Sequence, residues 1–476
     1  MDWPYVESPR EDDAPIYLQL YRRYRDAITA GKLRPGDRVP SVRSLASELN
    51  LARGTVEAAY QMLSSEGYFV TLGAAGTRVA PALADPAQTV ARHAKVRVVR
   101  ESLHAPTVTS NVRPFQLGVP ALDAFPRKTW ARIAGRSLRT LDAAAMMSPD
   151  PAGYLPLRRA IAAYLQISRG VACTYEQVFV TAGYRGALEL VRRTLLHAGD
   201  LGWYEDPGYA LGRHYLELAD LRLAPAPVDD EGIDVAAALR RAPQARFAVV
   251  TPGRQSPTGV ALSPTRRLEL LEWATRRRAW IVEDDYDSEF HYHGRPVPAL
   301  QNLDRDGRVL YTGTFSKVLL PGLRLAYLVV PEVLVGRFAH VAGRLPGPGS
   351  ILPQATVAAF MEQGHFARHL RKMRALYAER RAFLVDALAR TLDEHLHVRP
   401  QAGGVHVLAY LSDRHDDKRV AAAAAADGLG VQSLSDWRMR ASAQGGLLMG
   451  FANFATAEDA RAAVQRLSAH LVEGKG

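Results

Sequence analysis

From Pro15 to Ala30 the apolar positions Ile16, Leu18, Leu20, Tyr21, Tyr24, Ala27 and Ile28 recur three or four residues apart among polar ones. That is the period of an amphipathic helix, and Gly31 and Pro35-Gly36 stop it. Pro40-Ser41 signals a second, short helix with Ser41 as its N-cap and Leu45, Ala46 and Leu49 on the buried face. A third starts near Ala52 and runs through Thr55, Val56, Ala59, Tyr60 and Leu63 to Ser65, where Gly67 ends it. The pattern then changes to two strands, Tyr68 to Leu72 and Gly76 to Val79, around a Gly-Ala-Ala turn. Three helices followed by a hairpin predict a winged helix-turn-helix, an α+β unit over residues 1–80.

The stretch 81–112 breaks both periods. It holds Pro81, Pro86 and Pro106 among alanines, with no durable helical repeat, and reads as a linker. Beyond Arg113, strand-like runs such as Val178-Phe179-Val180, Phe247-Ala248-Val249-Val250, Trp280-Ile281-Val282 and Val309-Leu310-Tyr311 alternate with longer helical stretches. This alternation predicts an α/β unit with a mostly parallel sheet over 113–476. There is no internal repeat, and the alanine run Ala421–Ala426 is the one biased tract.

Composition fits these units. The chain has 476 residues, 47% hydrophobic and 23% charged, enough to bury sizeable cores, so disorder is excluded as its main state. The lone cysteine, Cys173, excludes an intramolecular disulfide and every Cys-based zinc cluster, and points to a reducing, cytoplasmic setting. Met1 to Asp13 carries Glu7, Glu11, Asp12 and Asp13 and lacks the apolar segment of a signal peptide. No run approaches the ~20 apolar residues of a membrane span. His291 and His293, near Glu289, form a His-x-His pair that no second cluster joins; they read as surface residues, and no metal is expected.

The formal net charge is +11, and its placement matters more than its total. Residues 1–80 hold ten Lys/Arg against ten Asp/Glu, residues 81–113 carry an excess of +3, and the remainder carries +8. Nucleic-acid binding by the first unit therefore requires a local basic face. Residues 31–55 supply one: Lys32, Arg34, Arg38, Arg43 and Arg53 against Asp37 and Glu48. Arg53 and Thr55 stand at the N-terminus of the third helix, where side chains reach base edges, whereas Arg34, Arg38 and Arg43 flank the preceding turn and helix and suit phosphates.

The ordered segments Leu33-Arg34-Pro35-Gly36-Asp37-Arg38-Val39-Pro40-Ser41-Val42-Arg43, Arg53-Gly54-Thr55-Val56 and Glu66-Gly67-Tyr68 closely resemble the GntR-type winged helix-turn-helix across residues 15–80. The resemblance implies a double-stranded DNA operator as partner. Further on, Thr181-Ala182-Gly183-Tyr184-Arg185-Gly186, Asp206-Pro207-Gly208-Tyr209, Thr251-Pro252-Gly253-Arg254-Gln255-Ser256-Pro257, Glu283-Asp284-Asp285-Tyr286 and Thr314-Phe315-Ser316-Lys317, with Arg324 seven residues on, follow in the order of the fold-type I aminotransferases that use pyridoxal 5'-phosphate (PLP). Joined to a GntR head, the whole resembles the MocR family of bacterial regulators.

That resemblance implies roles. Lys317 forms the internal aldimine with PLP. Asp284 holds the pyridine nitrogen protonated, Tyr286 donates to the ring oxygen and Tyr209 stacks on the ring. Gly183, Tyr184 and Arg185, at a helix start, and Thr314, Ser316 and Arg324, around the lysine, hold the phosphate. Tyr154 is similar to the tyrosine that reaches the neighbouring subunit's phosphate, which implies a homodimer. A strand period of two turns Glu283 and Asp285 away from Asp284.

Three departures bear on activity. Arg254 replaces a usual histidine, and Ser256 replaces the asparagine that contacts the ring oxygen. In the strand Leu447-Leu448-Met449-Gly450-Phe451-Ala452, Leu448 stands where active aminotransferases carry the arginine that forks the substrate α-carboxylate; Arg213, Arg254, Arg438 and Arg440 are alternative anchors. The expected function is a PLP-dependent DNA-binding transcriptional regulator that senses a small amine, an amino acid or PLP itself, without required turnover. The alternatives are a working aminotransferase with a DNA-binding head, and a DNA-binding structural protein with a dead cofactor site.

Overall fold

The computed structural model describes residues 14–81, 112–147, 150–292, 297–399, 401–442 and 444–472. The expected linker, except for Pro81 and Val112, and the expected surface residue His293 lie outside the described residues. The chain divides into two compact units, Met1–Thr107 and Val108–Gly476.

In the first unit the three predicted helices form as α1 (Ile16–Thr29), α2 (Val42–Glu48) and α3 (Arg53–Ser65), followed by antiparallel strands β1 (Phe69–Thr71) and β2 (Thr77–Val79). The Ser41 hydroxyl accepts from the Ser44 N–H at 3.1 Å and so caps α2 as expected. The Asp37 carboxylate accepts from the Arg34 N–H at 2.7 Å, closing the Pro-Gly-Asp turn before that helix. Leu45, Val56, Ala59 and Leu63 are completely buried. Around them Tyr24, Tyr60 and Phe69 meet edge to face with ring centroids 5.1 to 5.7 Å apart, which ties the wing to α1 and α3.

The second unit is built on an eight-stranded sheet. Its strands are β3 (Val178–Thr181), β4 (Leu201–Asp206), β5 (Arg222–Asp229), β6 (Gly232–Ile233), β7 (Phe247–Val250), β8 (Trp280–Asp285), β9 (Val309–Thr314) and β10 (Ala326–Val329), in the order β3-β10-β9-β8-β7-β4-β5-β6. The run β5-β4-β7-β8-β9 is parallel, while β10 lies antiparallel to both β9 and β3 and β6 antiparallel to β5. Every residue of β3 and β7 is buried, which is why these strands read as unbroken apolar runs.

A second, antiparallel sheet of β11 (Leu396–Val398), β12 (His406–Leu411), β13 (Gln432–Ser433) and β14 (Gly446–Gly450) runs in the order β11-β12-β14-β13. All five residues of β14 are buried, so the alternation that announces an antiparallel strand is missing there. The parallel strands β4, β7, β8 and β9 all deliver their C-terminal ends to one sheet edge, the place where open α/β sheets carry their ligands.

Candidate functional site

Strand β8 sorts its three carboxylates by face. Glu283 accepts from the Leu300 and Gln301 N–H groups, both at 2.8 Å. Asp285 accepts from Arg169 Nε at 2.7 Å and from the Tyr311 hydroxyl at 2.6 Å. Asp284 faces the other way and forms no salt bridge among the described residues. Burial pushes its carboxyl up to about 8; the Tyr184 hydroxyl opposes this, and Asp285, Glu205 and Asp287 add to it. A carboxyl so placed, without a cation of its own, is suited to a ligand N–H.

Lys317 lies just beyond β9, and the Thr314 hydroxyl accepts from the Ser316 N–H at 3.1 Å to close the turn before it. Burial lowers the ammonium of Lys317 against the opposing pull of Asp287 and Asp284, which favours the nucleophilic free amine. The backbone of Gly118 comes so close that a Cβ there would stand 2.7 Å from the lysine Nζ. The sequence reading does not reach this approach, whose one signal is a glycine shortly after the start of the unit.

Gly183 has φ +78° and caps the helix Tyr184–Leu195. A Cβ at Gly183 would lie 3.4 Å from the Arg324 guanidinium, so glycine leaves a cradle between a helix N-terminus and a cation. The rings of Tyr184 and Tyr209 stand 6.2 Å apart, and the buried Tyr184 hydroxyl faces the Asp284 carboxyl. Burial raises the Tyr209 hydroxyl, with Asp284 adding to the rise while Arg185 and Arg324 oppose it, so all of these groups share one crevice.

Arg254 donates to the Tyr286 hydroxyl, to Asp287 and to Gln401, each at 2.8 Å. The Tyr286 phenol is raised by burial and lowered by Arg254 and Ser256, which places the serine beside it. Ser256 is itself buried, its N–H donating to the Thr251 hydroxyl at 3.0 Å. His406 enters from β12 and donates to the Pro257 carbonyl at 3.0 Å; burial brings its pKa down to about 3, so it is a neutral wall residue. Tyr154 stands apart from this group, capping the helix Leu155–Arg169, with Glu362 and Asp142 as its charged neighbours.

Leu448 is completely buried with Leu408, Leu434 and Trp437, and Tyr209, Tyr410 and Leu117 pack against them. The position of the usual carboxylate-binding arginine is thus an apolar wall beside Tyr209. Of the alternative arginines, Arg254 is engaged as above, and Arg213 donates to the Asp436 and Trp437 carbonyls at 3.3 and 3.4 Å. Arg440 is exposed. Arg438, half-buried next to Trp437, keeps a buried Nε without a hydrogen-bond partner.

In the first unit, Arg34, Arg38, Arg43 and Arg53 are exposed, and Thr55 is half-buried on the first turn of α3. Arg43 lines a shallow groove of about 510 Å³ with Ser41, Ser44, Ser47 and Glu48. Arg38 lies against the wing, where a Cβ at Gly76 would stand 3.3 Å from its Nε. Among the described residues no group of three or more His, Cys, Asp or Glu side chains is arranged to hold a metal ion, and no helix is long and apolar enough to cross a membrane.

Comparison with known proteins agrees with both units. Residues 16–79 match the bacterial regulatory proteins of the gntR family, and residues 125–436 match aminotransferase class I and II. The probable rhizopine catabolism regulatory protein MocR of Rhizobium meliloti is 37% identical over 93% of this chain and 91% of its own. The pyridoxine biosynthesis transcriptional regulator PdxR of Corynebacterium glutamicum is 33% identical over 94% of each chain. The crystal structure of the multiple substrate aminotransferase from Thermococcus profundus superposes with a TM-score of 0.69 at 28% identity, covering 77% of this chain and 93% of that one.

Proposed function

Because the chain belongs to the MocR-type regulators, in which a gntR-family DNA-binding head precedes an aminotransferase class I and II domain, we propose that it controls transcription in response to a small molecule read through PLP held at Lys317. We assign residues 1–80 to the head, 81–112 to a linker and 113–476 to the effector domain, in a cytoplasmic homodimer.

The observation that carries this reading is the pairing of a buried Asp284, which forms no salt bridge among the described residues, with the amine of Lys317 in a crevice whose carboxylate-anchoring position is Leu448. PLP, when bound, supplies a carbon that an amine occupies reversibly and a ring that withdraws electrons from it. Lys317 offers the amine, and burial favours its uncharged form. Asp284 holds a proton at the ring nitrogen. Tyr286, fixed by Arg254, and Ser256 face the ring oxygen, and Tyr209 covers the ring. Gly183, Tyr184 and Arg185 present a helix start to the phosphate, with Thr314, Ser316 and Arg324 completing its contacts; Tyr154 serves the partner subunit.

With PLP bound, an amine ligand would displace Lys317 from the cofactor and pass its proton to the freed lysine, which faces Asp287 and Asp284. A ligand that favours one conformation of the effector domain shifts operator affinity by its differential affinity for the two. PLP alone can be that ligand, a view supported by the missing arginine at Leu448 and by the pyridoxine-biosynthesis role in the name of one relative.

Quantitative footprinting of the upstream DNA with PLP-free and PLP-loaded protein, each with and without an amine panel, tests this. The expected result is an operator affinity that changes on PLP loading or amine addition. Equal affinity in every state, or steady keto-acid production from an amino acid and a keto-acid acceptor, would overturn it, the latter in favour of a working aminotransferase.

A further inference from the structure

A cavity shares Arg254 and Asp287 with the crevice of Lys317 and lies between the segments that follow β7 and β8. Its volume is about 60 Å³, and Arg169, Gly253 and Ser288 also line it. One water needs roughly 10–15 Å³ of such space, so the cavity takes several waters or one molecule of a few heavy atoms. Gly253 leaves one wall bare. A Cβ there would stand 2.9 Å from the Ser288 hydroxyl oxygen and 3.3 Å from Arg169 Nη2, so these two groups converge on the space that the glycine keeps open.

Arg169 ends the helix Leu155–Arg169 and is 5% exposed. Its Nε donates to Asp285 at 2.7 Å and its Nη1 to the Val297 carbonyl at 3.1 Å, while the buried Nη2 has no hydrogen-bond partner. Arg254, 8% exposed, is in the same condition: Nη1 and Nη2 are engaged and the buried Nε is not. A charged N–H buried without an acceptor is costly. The unanswered groups are donors, so the ligand that answers them is an acceptor.

Among the described lining residues two guanidiniums stand against one carboxylate, that of Asp287, so a negatively charged acceptor fits better than a neutral one. Glu283 and Glu289 also face Arg169, but burial pushes both up to about 7, which leaves neither fully charged near neutral pH. We propose that this cavity binds a small carboxylate, which accepts from Arg169 Nη2 and from the Ser288 hydroxyl over the bare backbone of Gly253. Its effect on the cofactor, unlike the site itself, depends on PLP at Lys317. Arg254 holds the Tyr286 hydroxyl, and Asp287 faces Lys317. A carboxylate seated here therefore acts through Arg254 on the residue that meets the ring oxygen, and the domain reads a second small molecule alongside the amine.

The test is saturation-transfer difference NMR on the methyl protons of acetate, with the full-length, PLP-loaded protein at constant ionic strength. Wild type is expected to give a signal that saturates with acetate. Gly253→Ala changes no charge and fills the space between Ser288 and Arg169, so it is expected to weaken binding about tenfold or more. Ser288→Ala removes one hydrogen bond to a charged group, is expected to weaken binding by about tenfold, and serves if Gly253→Ala melts early. Acetamide, of the same size without the charge, is expected to bind about tenfold or more weakly than acetate. No saturable signal in wild type overturns the proposal, because water then fills the cavity. So does equal binding by wild type and either variant, or of acetate and acetamide. The absorption spectrum of the same samples separates this site from the cofactor assignment. Acetate bound by wild type but not by Gly253→Ala, in protein that shows no PLP band, faults the cofactor and leaves the site standing. A PLP band that acetate shifts in wild type and not in Gly253→Ala supports the coupling, and a band unmoved while acetate binds overturns it.

Discussion

Asp284 shows how a single side chain couples cofactor, proton and stability. Its carboxyl is pushed up to about 8, and Glu205, Glu283 and Glu289 are each pushed to about 7, in every case chiefly by burial. Between pH 6.5 and 8 the PLP-free folded protein therefore binds more protons than the unfolded chain, so its stability falls as pH rises. His406 has the opposite sign, but its contribution is half spent at about pH 6.5 and fades over roughly the next pH unit, as the unfolded imidazole loses its proton. Scanning calorimetry of PLP-free protein is expected to show a midpoint falling from pH 6.5 to 8, with a shallower fall in Asp284→Asn. A flat or rising profile contradicts the assignment of Asp284 as an uncompensated acid. Arg438 belongs to the same scale. With Arg213 and Arg254 engaged, it is the half-buried arginine left to meet a ligand anion. R438A is expected to leave the PLP absorption spectrum intact and to reduce, by about tenfold or more, the potency of carboxylate-bearing amines in shifting it, the value of roughly 1.5–3 kcal/mol for a charged hydrogen bond. Equal loss for amines without a carboxylate contradicts this role.

At the level of elements, the head was legible because each of its signals is local. Ser41 caps α2, Gly67 with φ +78° turns the chain out of α3, and strand-forming runs on either side of the Gly-Ala-Ala turn mark β1 and β2. Leu63 is completely buried at the centre of this small core. Leu63→Ala is expected to cost about 2–5 kcal/mol, read as a lowered melting transition of the head. Arg53 is exposed on the first turn of α3, so Arg53→Ala is expected to abolish operator binding in a gel-shift titration with no change in melting. In the effector domain the buried strands β3, β7, β8 and β9 stood out as apolar runs. Of the second sheet only the apolar run Leu447–Ala452 was legible, and it forms β14; β11 and β13 are three and two residues long. His406 and Trp437 sit on and beside that sheet, so their approach to the crevice was hidden along with it. Arg254 was visible as a departure from the family pattern, but its partners were not. Tyr286 and Asp287 directly follow β8 and Gln401 lies more than a hundred residues on, segments that only the folded chain brings to Arg254.

For the whole molecule, net charge misled and charge placement informed. A total of +11 invites a basic DNA-binding head, yet the head is neutral overall and the excess lies in the residues beyond it. The order of motifs along the chain was the stronger guide, since the C-terminal ends of β4, β8 and β9 bring the Tyr209, Asp284 and Lys317 segments to one crevice across more than a hundred residues. The central claim is that this crevice holds PLP on Lys317 as the sensing element. It is tested most directly by the near-ultraviolet and visible absorption spectrum of the purified protein, loaded with PLP and freed of excess, before and after borohydride, beside Lys317→Ala. The account predicts a band that borohydride fixes covalently to the protein and that is missing from the variant. Absence of the band in wild type, or its persistence in Lys317→Ala, would contradict it.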